Sequence, residues 1–351
     1  MGHRCKLAIQ VDLILTCQRV PEVDEKDLNL TIELAGGEQK VYTIQDLQTK
    51  FNQHTITATL QCSGNRRSDL SANSRKAQGL PWGNGAISNS SWTGVRLVDV
   101  LADAGFPTDA SITSSPTDSS AAKHVHLVGA EAYAISIPIN KALDPWGDVL
   151  LVHKQNGQAL SRDHGYPLRV IVPGYVAARS VKWLTKIVLS NEESQSIWHQ
   201  KDYKCFGPNE TSASIDWNKA PSIMEFPVQS AITKVMETSA RSIDGTVQDS
   251  TMTIAGYAHS GGGRRIVRVD VSTDDGKTWK QAELLHQDES LGHRAWSWTQ
   301  WRLVVPNNVV GRAYIVKAVD EANNTQPESY DAYYNFRGNL TNSWHRVEVD
   351  V

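Results

Sequence analysis

TLQCSGNRR, Thr59 to Arg67, closes an apolar run with one cysteine, a turn and two adjacent arginines. The run itself, Ile56 to Gln61, is rich in Thr, Ile and Leu and reads as a strand entering the Cys62 turn. The thiol has two readings. It is a structural cysteine, buried as a small hydrophobe. Alternatively it is a thiolate kept ionised by Arg66 and Arg67, acting as a nucleophile or a soft-metal ligand. The four cysteines (Cys5, Cys17, Cys62 and Cys205) are scattered and form no CxxC pair. That spacing speaks against a disulfide framework or a zinc finger, and for a reducing compartment.

Outward from this stretch, helical and strand signals mix. Val95, Val98 and Leu101 recur at helical spacing, with Thr93 as the expected N-cap and Gly105 as the C-cap. Residues 107–122 form a polar Ser/Thr/Pro stretch, expected as an exposed loop. Leu168 to Val172 is an apolar run stopped by Pro173-Gly174, and Val181 to Leu189 reads as one more strand. Because helices and strands do not alternate regularly, this part reads as α+β. Periodicity fades from Glu192 to Pro221, which puts the junction at residue 220 and divides the chain into 1–220 and 221–351. Beyond it the pattern changes. Ile266 to Ser272 alternates with period two, Asp275-Gly276 makes a hairpin turn, and Thr278 to Leu284 returns. Ala295–Leu303 and Ala313–Val319 are further strands, so this region reads as an all-β, immunoglobulin-like sandwich.

A net charge of -3 gives no global basic field, which argues against a nucleic-acid partner and makes any anion site local. No apolar run reaches the length of a membrane span, so no membrane partner is expected. Gln10 and Asp12 interrupt the only stretch that resembles a signal peptide.

Two further stretches carry chemistry. Ser161 to Trp183 holds Arg162, His164, Arg169, Arg179 and Lys182 against the single acid Asp163, punctuated by Gly165, Pro167, Pro173 and Gly174. Turn amides, hydroxyls and guanidinium forks suit a phosphate, although a run of charge is also what solvated strand ends look like. In WHQKDYK, residues 198–204, Tyr203 is either a surface residue or a phenol aimed into a polar pocket.

Taken together, these stretches resemble the molybdenum domain of the sulfite oxidases, animal type. The motifs are TLQCSGNRRSDLS, QGLPWGNGAISNSSWTGVRLVDVLADAGF, RDHGYPLRVIVPGYVAARSVKWL, WHQKDYK, GGGRRIVRVDVSTDDGKTWK and NSWHRV, and the similarity runs from Val20 to Val351. It implies an α+β molybdopterin-binding domain followed by an immunoglobulin-like domain that makes a homodimer. It also implies oxidation of sulfite to sulfate by oxygen-atom transfer at a molybdenum centre. Cys62 matches the metal ligand. Glu131, His164, Arg169, Ser180, Val181 and Lys182 match positions that hold the molybdopterin. Arg67, Trp82, Tyr203 and Arg346 match the substrate pocket, with Cys62, Tyr203 and Arg67 as the catalytic set. Cytochrome c as electron acceptor and the mitochondrial intermembrane space as compartment follow from the same resemblance. Eukaryotic nitrate reductases share much of this core, and a cofactor-poor, non-catalytic dimeric relative is a third reading.

The sequence also departs from that pattern. The family has an Arg-Asn-His segment before the Pro-Val-Pro that leads into this region. Here Arg19 to Val23 picks the pattern up after CKLAIQVDLILTCQ, and no Arg-Asn-His is present. The animal enzymes carry a cytochrome b5-type haem domain further upstream, and none is expected in this chain. A truncated or mis-joined gene model and a natural variant with weaker substrate binding both fit this N-terminus. Gln78 stands where a lysine is usual, Glu131 where aspartate is common, and His259 where tryptophan is usual.

Overall fold

The computed structural model describes residues 20–108, 122–238, 250–286, 293–306 and 313–348; Cys5, Cys17, the divergent segment 1–19 and most of the polar stretch 107–122 lie outside them. Up to residue 143 the elements are β1 (Asn29–Glu33), β2 (Gln39–Thr43), α1 (Ile44–Thr49), β3 (His54–Gln61), α2 (Arg67–Asn73), β4 (Ile87–Arg96), α3 (Leu97–Asp103), β5 (His124–Gly129), β6 (Ala134–Pro138) and α4 (Ile139–Leu143). There follow β7 (Leu150–Gln155), β8 (Gln158–Ala159), β9 (Arg169–Ile171) and β10 (Leu184–Ser190), with a 3-10 turn over Ala177–Arg179 and a π-helical turn over Trp198–Asp202.

These strands make two five-stranded sheets. One has the order β2-β1-β10-β5-β6; the other runs β3-β4-β7-β8 with β9 on β7. Between them lies a core that includes Leu30, Ile32, Leu101, Val125, Ile135, Leu151, Val170 and Ile187. Each such side chain is worth about 1.5–3 kcal/mol of burial. The helices are short, at most seven residues among the described ones, so sheet packing holds this part together.

Thr93 does not cap a helix. It pairs with Thr55 inside β4, hydroxyl to hydroxyl at 2.8 Å, and the helix starts only at Leu97. Gly94 explains why: a Cβ there would stand 2.0 Å from the Leu151 carbonyl, so β7 is packed too close for this segment to leave the sheet.

The remaining strands are β11 (Gln229–Thr238), β12 (Thr251–His259), β13 (Ile266–Ser272), β14 (Lys280–Gln281), β15 (Glu283–His286), β16 (Thr299–Pro306), β17 (Ala313–Asp320) and β18 (His345–Glu348). They form two antiparallel sheets, β11-β12-β16-β15 and β14-β13-β17-β18, around Ile254, Val269, Trp301, Tyr314 and Val316. The expected single return strand Thr278–Leu284 is split. Lys280–Gln281 pairs with β13, buried Ala282 turns the corner, and Glu283–His286 crosses to β16 in the other sheet.

Polar contacts join the sandwich to the first part. Asp148 takes two 2.7 Å bonds from the Arg294 guanidinium and one of 2.8 Å from the Trp296 indole N–H. Arg66 is fully buried and reaches the carbonyls of Ser343 at 2.7 Å and Ser230 at 3.3 Å.

Candidate active site

Strand β3 ends at Gln61, opposite Ile87 at the start of β4, so Cys62 emerges from the sheet edge with its N–H still bonded to Ala86 O at 3.0 Å. A turn follows: Asn65 N–H donates to Cys62 O and Arg67 N–H to Gly64 O, both at 3.0 Å. Arg66 sits in the left-handed region (φ 65), which sends the two arginines apart. Arg66 enters the sandwich, whereas Arg67 lines a cleft of about 140 Å³ together with Cys62, Gln78, Trp82, Asp202, Tyr203, Arg337 and Asn339.

The Cys62 thiol is buried and accepts a bond from the Gly64 N–H at 3.3 Å. Burial pushes its pKa up, against smaller opposing effects from that N–H and from Arg67. The arginines alone therefore do not hold a free thiolate here. A thiolate at this position needs a cation in contact, which suits a metal ligand better than a free nucleophile.

Arg67 is held by backbone: Nε donates to Arg337 O at 2.7 Å and Nη1 to Leu80 O at 2.9 Å. Among the described residues it has no carboxylate partner, so its charge is available to an anion. Burial lowers its pKa, Cys62 and Tyr203 oppose that, and Arg337 adds to it. The guanidinium is tightly enclosed. A Cβ on Gly64 would lie 2.4 Å from Nη2, and one on Gly79, whose φ is +120, would lie 2.8 Å from Nη1.

Arg337 also faces the cleft, and its guanidinium bonds to the Asp202 carboxylate. Tyr203 follows the π-helical turn, and burial raises its phenol pKa first, with Cys62 and Asp202 adding to that.

Arg346 is not in this cleft. It lies on β18, where its guanidinium meets Glu328 at 3.5 Å. The strand ladder with β17 holds it away, and the second arginine of the cleft is Arg337. Its signal was the Arg337-Gly338 pair, in which Gly338 takes φ +58 against the aliphatic stem of Arg67.

A second group of residues forms a cradle. His164, Arg169, Ser180, Val181 and Lys182 are all buried. Arg169 lies 5.1 Å over the Trp92 ring and donates to His164 O at 3.2 Å; burial lowers its pKa to about 9. Lys182 Nζ donates to Asp163 O at 2.7 Å, and Val172 N–H donates to the Ser180 hydroxyl at 3.0 Å. His164 is pulled down to about 4 by burial, then by Arg169 and Lys182. Glu131 is exposed in the β5–β6 turn, whose Ala130 N–H reaches Trp183 O at 2.9 Å beside the cradle. Three cationic or imidazole side chains with one nearby acid are a donor set for a phosphate-bearing group. Among the described residues, no group of three or more His, Cys, Asp or Glu is placed to hold a bare ion. This donor set fits a metal delivered by an organic cofactor, with one protein thiolate.

A single buried thiol, a cleft with two arginines and a cationic cradle share this frame, an arrangement that suits a cofactor-dependent oxidoreductase. The family model "Oxidoreductase molybdopterin binding domain" matches residues 17–198, and "Mo-co oxidoreductase dimerisation domain" matches 220–351. The chicken "Sulfite oxidase" is 44% identical over 334 residues, 93% of this chain and 69% of that protein. The human "Sulfite oxidase, mitochondrial" is 43% identical over 95% of this chain and 59% of its own length. A bean "Nitrate reductase [NADH] 1" is more distant, 37% identical over 37% of its length. The solved sulfane dehydrogenase SoxCD of Paracoccus pantotrophus superposes with a TM-score of 0.72 at 26% identity, covering 95% of this chain and 80% of its own. The chain belongs to the sulfite oxidase family of molybdopterin-binding oxidoreductases.

Proposed function

We propose that this protein oxidises sulfite to sulfate at a Cys62-ligated molybdenum–pterin centre. The observation that carries this reading is the shared cleft of the Cys62 thiol and the Arg67 guanidinium, the latter held by carbonyls rather than by a carboxylate. When bound, the cofactor supplies two-electron oxygen-atom transfer. His164, Arg169, Ser180, Val181 and Lys182 hold its pterin and phosphate, with Glu131 at the rim. Arg67 and Arg337 draw in the dianion and neutralise it through charge-assisted bonds. Trp82 walls the cleft, and the Tyr203 phenol, kept protonated by burial, donates to an anion oxygen and orients it.

Residues 1–220 then form the cofactor-binding region and 221–351 the region that pairs two chains into a homodimer. The names of the mammalian relatives support a mitochondrial compartment. The intermembrane space, with cytochrome c as electron acceptor, is the finer form of that reading.

The test uses protein expressed in a host that makes the cofactor. It should carry about one molybdenum per chain and reduce ferricyanide when sulfite is added. Nitrate turnover exceeding sulfite turnover would move the chain to the nitrate reductases. Full metal occupancy with neither activity would reject catalysis, and absence of molybdenum would favour a non-catalytic dimer.

A further inference from the structure

Behind Tyr203 lies a polar chain that the reaction outlined above does not use. Arg179 is fully buried. Its guanidinium is shared out in three directions: Nε and Nη2 donate to Ile223 O at 3.0 and 2.6 Å, Nη2 reaches Tyr203 O at 3.4 Å, and Nη1 lies 2.6 Å from His199 Nδ1. Ile223 N–H donates to the same Tyr203 carbonyl at 2.8 Å. His199 is itself fully buried. Two N–H groups converge on its Nδ1, from Arg179 and from Ser136 at 3.3 Å, so Nδ1 is the acceptor and the proton resides on Nε2. Nε2 faces the Glu193 carboxylate at 3.3 Å and the Ser222 hydroxyl at 3.2 Å, and Lys204 lies 3.8 Å from the same carboxylate. The counter-charge of Glu193 is thus relayed to Arg179 through a neutral imidazole.

Arg179 also stands immediately before the cradle residues Ser180, Val181 and Lys182. The carbonyl just before it, Ala178 O, accepts from the Tyr133 hydroxyl at 2.9 Å, and the Arg179 guanidinium itself lies 6.0 Å over the Tyr203 ring. The backbone and the ring of Tyr203 both face Arg179, in the segment that leads into the cradle.

We propose that Arg179, oriented by the His199–Glu193 pair, is a positioning residue that sets where the Tyr203 phenol sits in the cleft relative to the cofactor cradle. The catalytic part of this inference rests on the sulfite-oxidising reading; the positioning part does not. Misplacing a catalytic group by about 1 Å costs roughly 100-fold in rate.

Arg179→Met, His199→Phe and His199→Asn are compared with the parent, matched for melting temperature and metal content. Asn is the conservative variant, because its amide oxygen stands where Nδ1 accepts. A single 3-fluorotyrosine at position 203 reports the position of the ring by fluorine NMR, in apo and loaded protein alike. Arg179→Met and His199→Phe are expected to shift or split that resonance and to lower kcat by roughly 10- to 100-fold. Sulfite KM should stay near the parent value, and His199→Asn should restore most of both readouts. An unmoved resonance in folded Arg179→Met and His199→Phe overturns the proposal. A moved resonance with no change in kcat confines Arg179 to structure and overturns it as well. If the resonance moves but the loaded parent does not oxidise sulfite, the positioning role stands and the sulfite reading fails. Should Arg179→Met not fold, Arg179→Lys is read by the same criteria, since it keeps a buried cation and loses the fork.

Discussion

Arg67 donates from Nε to the backbone carbonyl of Arg337 at 2.7 Å, across a separation of 270 positions. One bond therefore ties together two arginines that both line the cleft. The charge of Arg337 adds to the burial that lowers the Arg67 pKa. The cleft is a product of both parts of the chain.

Arg67→Met removes a cation whose only described partners are carbonyls. Loss of one member of a buried charge pair costs about 2 kcal/mol or more, roughly 30-fold in affinity. Steady-state kinetics should show sulfite KM raised by about that factor, with molybdenum content unchanged. An unchanged KM would remove Arg67 from the substrate site.

The contrast between Arg337 and Arg346 is a direct check on the geometry. Arg337→Gln should raise sulfite KM by roughly tenfold or more, because one charge-assisted bond is lost. Arg346→Gln breaks a partly exposed pair with Glu328, worth about 1 kcal/mol at most to stability, and a 5.9 Å contact over the Trp344 ring, both outside the cleft. Equal KM effects at the two positions would contradict the assignment of the cleft.

Gly79→Ala tests the enclosure of Arg67. The new methyl would meet Nη1 at 2.8 Å and occupy φ +120, a strain of about 1–3 kcal/mol. The expected result is a lower melting temperature together with a raised sulfite KM. A variant with parental kinetics would mean that the guanidinium has room to move.

Cys62→Ser should retain the fold and lose the metal. Oxygen in place of a soft thiolate weakens ligation, so molybdenum per chain, measured by elemental analysis, should fall with activity. A fully loaded, active serine variant would return Cys62 to a structural role.

Acid should destabilise the protein through buried imidazoles. His259 is pulled to about 4 by burial, with Arg264 adding to it, and His345 to about 3 by burial, then by Arg66. In the unfolded chain each titrates near 6.5, so between about 6.5 and 4 the unfolded state binds the extra protons. Stability then rises with pH over that window and is lost on acidification, at about 1.4 kcal/mol per unit per site. Melting temperatures from pH 4 to 7.5 should show this slope, and His259→Phe should make it shallower. Parallel slopes in the variant and the parent would count against His259.

Much of this was legible in residue patterns. The β3 strand, its Cys62 turn and the β13 strand are local signals, and the structure keeps them, although a register shift between Ile266 and Arg268 breaks the period-two alternation of β13. What sequence could not supply was long-range crowding. Thr93 has the chemistry of an N-cap, yet the nearness of β7 at Gly94 keeps it in β4. Thr278–Leu284 reads as one strand because nothing local marks Ala282 as the corner between two sheets. Arg346 and Arg337 carry the same side chain nine positions apart, and only the β17–β18 ladder tells which one faces Arg67. Adjacent arginines suggested an ionised thiol; the fold buries that thiol and sends Arg66 elsewhere.

The grip of Arg66 on Ser230 and Ser343 has a temporal meaning. A ribosome makes the Cys62 turn early and the carbonyl of Ser343 almost three hundred residues later. N-terminal regions generally fold first during synthesis. The cradle residues up to Lys182 are therefore made while the chain still lacks Arg337. On the sulfite-oxidising reading, substrate competence arrives last. A nonsense mutation after Lys182 but before Arg337 would keep every cradle residue and, on the sulfite-oxidising reading, lose the second cation of the cleft.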